Sequence, residues 1–266
     1  MQTRNYSPRS IETYVHMLHS LEEYHNISVD EISIDQVKDF LQHSIETKKI
    51  SVSYINQVIS AVKILQQDVL GNEWESIKIK RPRRVKKLPV VLSKEEVRSL
   101  IETTRNLKHR AILAVIYSAG LRISELASLR PSDIDSDRKQ IKVLGKGNKY
   151  RYTLLSENTR DMLRIYWCAY TPAQYLFEGQ KKGHPVSQST IQQVFKHACR
   201  KCGINKPASV HSLRHSFATH LLESGTNLKI IQSLLGHSSL RTTSIYLHVT
   251  KFDPASIRSP YDEIAG

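Results

Sequence analysis

Apolar residues recur at intervals of three and four between Ser10 and Leu70, which is the spacing of amphipathic helices. Pro8 and Ser33 stand where helices are expected to begin, and Gly71 follows the last apolar position as a stop signal. The pattern therefore predicts a bundle of three helices. Its apolar positions are Ile11, Tyr14, Val15, Leu18 and Leu21, then Val37, Phe40, Leu41 and Ile45, and finally Ile55, Val58, Ile59, Val62 and Leu65.

A second helical pattern begins at Ser93, which forms a capping box with Glu96. Helices are expected over about 94–103 and 107–119, and Gly120 ends the second of them. A short helix is expected over 122–129, and the chain from about 156 to 249 is again mostly helical in pattern. Breaks in that pattern are expected at 171–183, 203–209, 225–227 and Gly236.

Two β-rich runs at 140–144 and 150–155 are separated by GKGNK, which predicts a hairpin, and RPSDID before them predicts a turn. The expected fold class is mainly α with a small antiparallel β-sheet, in two domains. An N-terminal helical bundle is expected over 1–77, a basic linker over 78–92, a mixed α/β domain over 93–250 and a tail over 251–266. The linker contains two prolines and is rich in Lys and Arg. Such a run is typical of a solvated connector, of a segment that contacts phosphates, or of both.

The composition narrows the partners of the chain. It has 266 residues with a formal net charge of +14 and a pI near 9.7, which favours a polyanion, with nucleic acid first, over a basic protein that has no such partner. No apolar stretch is long enough to cross a membrane, and the first residues lack an export signal. We therefore expect a cytoplasmic, nucleoid-associated enzyme that does not bind membranes and whose three cysteines are reduced.

Two basic residues stand in settings that suggest chemistry. Arg122 lies among apolar residues in SAGLRISELASL, where a buried charge needs an anionic partner; a salt bridge to Glu125 is the structural alternative. Lys146 lies at the predicted hairpin tip between two glycines, which allow a ligand to approach closely, although an ordinary turn lysine fits as well. The phosphate-loop pattern GxxxxGK[ST] is absent, so nucleotide binding is disfavoured.

Two further blocks supply two histidines, an arginine and a tyrosine. In VHSLRHSFATHLL, His211 and Arg214 are three residues apart and share one face of a predicted helix. In LLGHSS, His237 follows a glycine directly, and Tyr246 lies nine residues beyond it. Any single tyrosine is more often structural than catalytic. Tyr246 is singled out by its position after the other elements.

Patterns for a metal or cofactor are weak. HSLRH has Ser212 where the zinc protease pattern HExxH has its glutamate, and Arg214 would repel a cation. Cys199 and Cys202 form a lone CxxC within a helical pattern. We therefore expect no metal and no cofactor. A basic zinc hydrolase built on His211, His215 and His220 stays as an alternative.

Taken in order, the blocks resemble the phage integrase or tyrosine recombinase family, whose pattern is Arg, Lys, His-x-x-Arg, His or Trp, and Tyr. The matching text is GLRISEL, GKGNKYR, HSLRHSFATHLL, LLGHSS and TTSIYLHV. The motifs cover about 93–250, whereas the helical domain and linker match by architecture only. Within the family, the chain most resembles the compact bacterial Xer-like and integron-type enzymes. The resemblance implies a SAM-like core-binding domain and a catalytic domain of the DNA breaking-rejoining type.

The resemblance also implies roles for six residues. Arg122 and Arg214 would hold one phosphate with His237 as a further donor, and Tyr246 would attack it. A phenol needs help to lose its proton, and His211 is the base that the family pattern suggests, with Lys146 protonating the departing 5′ oxygen. The product would be a 3′-phosphotyrosyl enzyme. Neither metal nor ATP would then be required.

By the same resemblance, the partner is double-stranded DNA with a specific recombination site, gripped between the two domains. Family members act as tetramers on two duplexes, in some cases with an accessory or partner recombinase, and we expect a monomer or dimer when free. Residues 251–266 would be exchanged between protomers. Integration, excision, chromosome dimer resolution, cassette capture and mobile-element movement all fit. A type IB topoisomerase-like enzyme and a non-catalytic DNA-binding regulator are the alternatives.

Overall fold

The computed structural model describes residues 6–72, 88–145 and 149–250. The chain divides into two compact units, Met1–Lys86 and Lys87–Gly266. Both are mainly helical, and the second also holds a small antiparallel sheet, as the sequence predicts. Most of the linker predicted over 78–92 and the whole tail predicted over 251–266 lie outside the described residues.

The first unit contains the three predicted helices, α1 (Pro8–His25), α2 (Ile34–Lys48) and α3 (Val52–Ile64). A serine caps each N-terminus, and α2 begins with a complete capping box. The chain after α3 continues as a π-helical turn, Leu65–Val69, which the helical spacing did not predict. The buried side chains are mostly the predicted ones, but Val15 and Ile45 lie on the surface.

The first helix of the second unit begins with the predicted capping box at Ser93. Its helix α5 is apolar on nearly all sides and lies at the centre of the core, in contact with α4, α7, α8 and α9. In the described residues the helices of this unit are α4 (Lys94–Glu102), α5 (Leu107–Ala119), α6 (Ile123–Ser128), α7 (Glu157–Tyr170), α8 (Gln188–Lys201), α9 (Val210–Glu223), α10 (Leu228–Leu235) and α11 (Leu240–Thr243). A 3₁₀ helix, Ser244–His248, follows α11.

The sheet consists of β1 (Ile134–Asp135), β2 (Gln140–Leu144) and β3 (Tyr150–Leu154), in that order and all antiparallel. The predicted hairpin of β2 and β3 is confirmed. The interpretation of RPSDID as a turn alone is wrong, because its last two residues form β1 and pair with the start of β2. A strand of two residues is too short to show an alternating pattern. Lys146, which the sequence predicts at the hairpin tip, lies outside the described residues.

Two helix ends position the residues of interest. The last residues of α5 approach the middle of α9, and α10 packs against both α9 and β3. The C-termini of α5 and α10, the start of α6 and one face of α9 therefore meet. None of the helices in the described ranges is long and apolar enough to span a membrane.

Candidate active site

A buried carboxylate, Glu125, lies at the centre of the site and binds two arginines. Its Oε1 accepts hydrogen bonds from Arg122 NH1 at 2.7 Å and Arg151 NH1 at 2.8 Å. Its Oε2 accepts from the backbone N–H of Arg122 and from Arg151 NH2, both at 2.8 Å. Burial alone would raise the pKa of this carboxyl, but the hydrogen bonds from Arg151 and Arg122 outweigh burial and hold the pKa at about 2. Glu125 is therefore ionised at neutral pH.

Arg214 is the most deeply buried cation of the site, with 1% of its surface exposed. Its NH1 donates to the carbonyl of Gly120 at 2.6 Å, and its NH2 donates to the carbonyl of Leu235 at 2.7 Å. NH1 also lies 3.6 Å from Glu125 Oε2. Burial and the charge of Arg122 lower the pKa of Arg214 to about 10, so the guanidinium stays charged at neutral pH.

Arg122 differs from the sequence-based interpretation, which placed its side chain among core residues. It is the N-cap of α6, and 34% of its side chain is exposed. The salt bridge to Glu125 considered from the sequence is present. The deeply buried arginine is Arg214, because its position on α9 faces the end of α5. Arg122 therefore presents a guanidinium that solvent or a ligand can reach.

Two glycines in the left-handed conformation allow the close approach of these groups. Gly120 ends α5 with φ +61°, and a side chain there would collide with Phe217. Gly236 ends α10 with φ +63°, and an added Cβ would lie 2.6 Å from Arg151 Cδ. Both conformations favour glycine. The two helices end at these glycines, as the sequence predicts. These ends bring the carbonyls of Gly120 and Leu235 to Arg214.

His237 follows the second of these turns and is fixed on both ring nitrogens. Its Nε2 lies 3.2 Å from Arg214 NH2, and its Nδ1 lies 3.0 Å from Thr243 Oγ1. A guanidinium can only donate, so Nε2 accepts and the ring proton is on Nδ1. Burial and the charges of Arg214 and Arg122 lower the pKa of His237 to about 4, consistent with a neutral ring.

Tyr246 lies on the 3₁₀ helix after α11 and is 2% exposed. Its ring packs in a small apolar cluster with Phe217 and Leu235. The hydroxyl lies 3.1 Å from Nδ1 of His215, one turn beyond His211 on α9. Burial raises the pKa of Tyr246, while the charges of Arg214 and Arg122 act in the opposite direction. The phenol is therefore protonated in the free protein.

His211 lies on the same face of α9, with its ring centroid 4.7 Å from that of His215. Desolvation of its ring, and then Arg214 and Arg122, lower its pKa, while Glu125 acts in the opposite direction. The structure thus brings five of the six predicted residues into one neighbourhood. The sixth, Lys146, lies outside the described residues.

The site is built to receive an anion. Three guanidiniums, those of Arg122, Arg151 and Arg214, surround the single carboxylate of Glu125, which leaves the cluster with a net positive charge. The nearby histidines are held neutral by burial and by these cations. A phosphate can bind there without a metal ion, because fixed guanidiniums match its charge and geometry.

Arg151 and His215 are the residues that sequence reasoning missed. Arg151 is five residues beyond Lys146 in the same quoted block, and besides holding Glu125 it donates from Nε to the carbonyl of Leu234 at 2.8 Å. The sequence suggested His215 only as one of three ligands of a zinc hydrolase. Its spacing of four from His211 was the signal that it shares the same helix face.

The described residues offer no support for the zinc alternative. His220, its third proposed ligand, lies with Nδ1 2.9 Å from the hydroxyl of Tyr117. Cys202 of the lone CxxC lies with Sγ 3.0 Å from Thr103 Oγ1. Across the parts of the chain that the structure describes, no group of three or more His, Cys, Asp or Glu side chains is placed to hold a metal ion.

Comparison with known proteins shows what this chain is similar to. Residues 90–252 match the phage integrase family, and residues 1–76 match the N-terminal SAM-like domain of phage integrases. A tyrosine recombinase of Thermosipho africanus is 34% identical, over 94% of this chain and 93% of that protein. The tyrosine recombinase XerD of Staphylococcus saprophyticus is 32% identical, over 96% of this chain and 89% of its own length.

The fold has a matching solved structure, the XerH site-specific recombinase bound to a palindromic difH substrate in a post-cleavage complex. The TM-score is 0.76 at 26% identity, and the match covers 93% of this chain and 78% of that one. The cluster of arginines beside Tyr246, the two matched domains and the relatives along nearly the whole chain agree. The chain belongs to the phage integrase family and is a tyrosine site-specific recombinase of the Xer-like type.

Proposed function

We propose that this recombinase cuts and rejoins DNA at a specific site through a covalent 3′-phosphotyrosyl bond to Tyr246. One observation carries the proposal: Arg214, which anchors the positive cluster, and His215, which holds the Tyr246 hydroxyl, are adjacent residues of α9. One helix thus fixes the proposed nucleophile and the buried cation Arg214. Such an arrangement suits attack on a bound phosphodiester.

Arg122 and Arg214 would stabilise the charge that develops on the non-bridging oxygens of the phosphate. Arg214 supplies a preorganised charge, because backbone carbonyls fix its guanidinium. Arg122 supplies the accessible one. His237 would join them as a donor from Nε2, which now accepts from Arg214. The negative charge of a bound phosphate raises the pKa of His237 and so favours the protonated ring that this role needs.

In the cleavage step, Oη of Tyr246 bonds to phosphorus while the bond from phosphorus to the 5′ oxygen breaks. His211 takes the phenolic proton, and Lys146 gives a proton to the 5′ oxygen. The phosphotyrosine conserves the energy of the phosphodiester, so a 5′ hydroxyl of another strand can reverse the step. The reaction needs neither ATP nor a metal ion. The side chains of Arg122, Lys146, His211, Arg214, His237 and Tyr246 are the proposed catalytic set.

The proposed substrate is double-stranded DNA that carries a recombination site. The XerH structures contain difH substrate, and a lambda integrase dimer of similar fold contains a core site. The net charge of +14 suits such a partner. We propose a core-binding role for residues 1–77 and a catalytic role for 93–250, joined by the basic linker 78–92. Four protomers would act on two duplexes, with residues 251–266 exchanged between neighbours.

Covalent trapping tests this function. Duplexes that the protein binds are selected from a random library, and a nick placed beside the cleaved phosphate lets a short strand diffuse away, so the adduct accumulates. The proposal predicts an adduct resistant to boiling in detergent, with Tyr246 as the modified residue by mass spectrometry. Specific binding without an adduct would favour a non-catalytic regulator. Relaxation of supercoiled DNA without strand exchange would favour a topoisomerase.

A further inference from the structure

The hydroxyl of Tyr246 has a fixed direction in the free protein. Nδ1 of His215 lies 3.1 Å from Oη, and the two ring centroids are 5.8 Å apart with their planes tilted by 55°. The tyrosine ring is 2% exposed and packs against Phe217 and Leu235. His215 is itself part of α9, which packs against the 3₁₀ helix of Tyr246. Packing therefore restricts the orientation of both the Tyr246 and the His215 side chains.

Neither ring of this hydrogen bond is ionised near neutral pH. Burial raises the pKa of Tyr246, so the phenol keeps its proton and is able to donate. Burial, and then His211 and Arg214, lower the pKa of His215 to about 4, so its ring is neutral near pH 7. With the phenol as the donor of this hydrogen bond, Nδ1 is the unprotonated nitrogen and the ring proton is on Nε2.

We propose that His215 is a further residue of the cleavage reaction, the hydrogen-bond acceptor that orients the Tyr246 hydroxyl for attack on the phosphate. This inference rests on the proposed role of Tyr246 as nucleophile. Directing the hydroxyl proton toward His215 leaves the lone pairs of Oη free to face phosphorus. As the new bond forms, the single phenolic proton leaves the hydrogen bond to His215 and passes to His211, the proposed base, whose ring centroid lies 4.7 Å from that of His215.

Orientation of this kind affects the chemical step rather than DNA affinity. A nucleophile misplaced by about 1 Å costs on the order of 100-fold in rate, whereas contacts to the DNA backbone are unchanged. An orienting role is also separable from packing. Asn at position 215 offers Oδ1 near the place of Nδ1, whereas Phe fills the ring space and offers no acceptor. The two substitutions therefore separate the effect of losing the hydrogen bond from the effect of changing the shape of the side chain.

The experiment measures single-turnover formation of the covalent adduct, together with DNA affinity, for wild type, His215→Phe, His215→Asn and Tyr246→Phe. We expect His215→Phe to lower the cleavage rate by about 10- to 100-fold with affinity changed by less than about twofold, and His215→Asn to restore the rate to within about threefold. Equal defects in both variants, or a wild-type rate in His215→Phe, would overturn the inference. If Tyr246→Phe forms no adduct while His215→Phe cleaves at the wild-type rate, the proposed function is supported and the role of His215 is overturned. An adduct in Tyr246→Phe would overturn the function itself.

Nitrogen-15 NMR of the histidine rings in the DNA-free, full-length protein provides a measurement that does not depend on activity or on the folding of the position 215 variants. The inference predicts the Nε2-protonated tautomer for His215 near pH 7. It also predicts a shift of the His215 Nδ1 resonance in Tyr246→Phe, because that variant lacks the hydrogen-bond donor. A proton on Nδ1, or a His215 Nδ1 signal that Tyr246→Phe does not move, would refute it.

Discussion

Arg151 binds Glu125 with both of its terminal nitrogens, NH1 to Oε1 and NH2 to Oε2, each at 2.8 Å. The two residues are 26 positions apart, one on β3 and one on α6. A bidentate pair of this geometry fixes both side chains. It joins the β2–β3 hairpin to the helix whose N-cap is Arg122.

The first prediction concerns acid stability. Because the folded protein holds the pKa of Glu125 at about 2, below its ordinary 4.5, the ionised pair stabilises the fold above pH 4.5 and loses that effect as the pH falls toward 2. The loss should reach about 3 kcal/mol in the free energy of unfolding. Urea unfolding between pH 2.5 and 6 should show a flatter pH dependence in Glu125→Gln. Glu157→Gln, which alters an exposed and solvent-screened ion pair with Lys139, should change the slope much less. Equal slopes in all three proteins would contradict the assignment.

The second prediction separates the two arginines of the proposed catalytic set. Arg122→Ala should reduce cleavage by about 100-fold or more, because it removes charge stabilisation from the transition state. It should destabilise the fold by only about 1 kcal/mol, because the side chain is 34% exposed. Arg214→Ala should reduce cleavage as strongly, and it should also cost about 3 kcal/mol or more, since it removes a buried charge from its partners.

Urea unfolding and single-turnover cleavage, measured on the same preparations, check this separation. Arg138→Ala is the matched control, since that side chain is 79% exposed and pairs loosely with Asp135. It should leave stability unchanged. Equal destabilisation by the two site variants would show that the burial of Arg214 is assigned wrongly.

The third prediction concerns the turn at the end of α5. Gly120→Ala places a methyl group against Phe217 at φ +61°, whereas Gly225→Ala faces a similar φ of +83° with no described atom within 4 Å. We expect Gly225→Ala to cost about 1 kcal/mol for backbone strain alone. Gly120→Ala should cost about 1–3 kcal/mol more, because a large ring must move. Similar melting temperatures for the two variants would argue against the close contact.

Much of the fold could be predicted from local patterns. The three N-terminal helices, the helix start at Ser33, the capping box at Ser93 and the hairpin all depend on residues close in sequence. Features that depend on tertiary contacts could not be predicted. The π-helical turn after α3 and the short strand β1 are too small to carry a periodic signal.

The site divides in the same way. Ordered motifs identified the residue types, and the pair of Arg122 with Glu125 follows from their spacing of three. The burial of Arg214 instead of Arg122, the link from Arg151 to Glu125 and the contact of His215 with Tyr246 all arise between separate elements. A single sequence does not specify the distances between residues on separate elements.

The fourth prediction addresses the chemistry of cleavage. If fixed arginines supply the positive charge, cleavage by wild type should proceed at an unchanged rate after dialysis against EDTA and in its presence. The rate is measured on the same nicked duplex as the trapping assay, with a magnesium-containing reaction as control. Loss of cleavage in EDTA that zinc or magnesium restores would revive metal-assisted hydrolysis.

The central claim is that Tyr246 is the nucleophile. Its most direct test compares wild type, Tyr246→Phe and Tyr166→Phe, since Tyr166 is an equally buried tyrosine that stacks on Tyr170. Each protein is incubated with the nicked suicide duplex, and DNA binding and covalent adduct are measured separately. Tyr246→Phe should bind DNA like wild type and form no adduct, whereas Tyr166→Phe should form it. A covalent adduct in Tyr246→Phe would contradict the account.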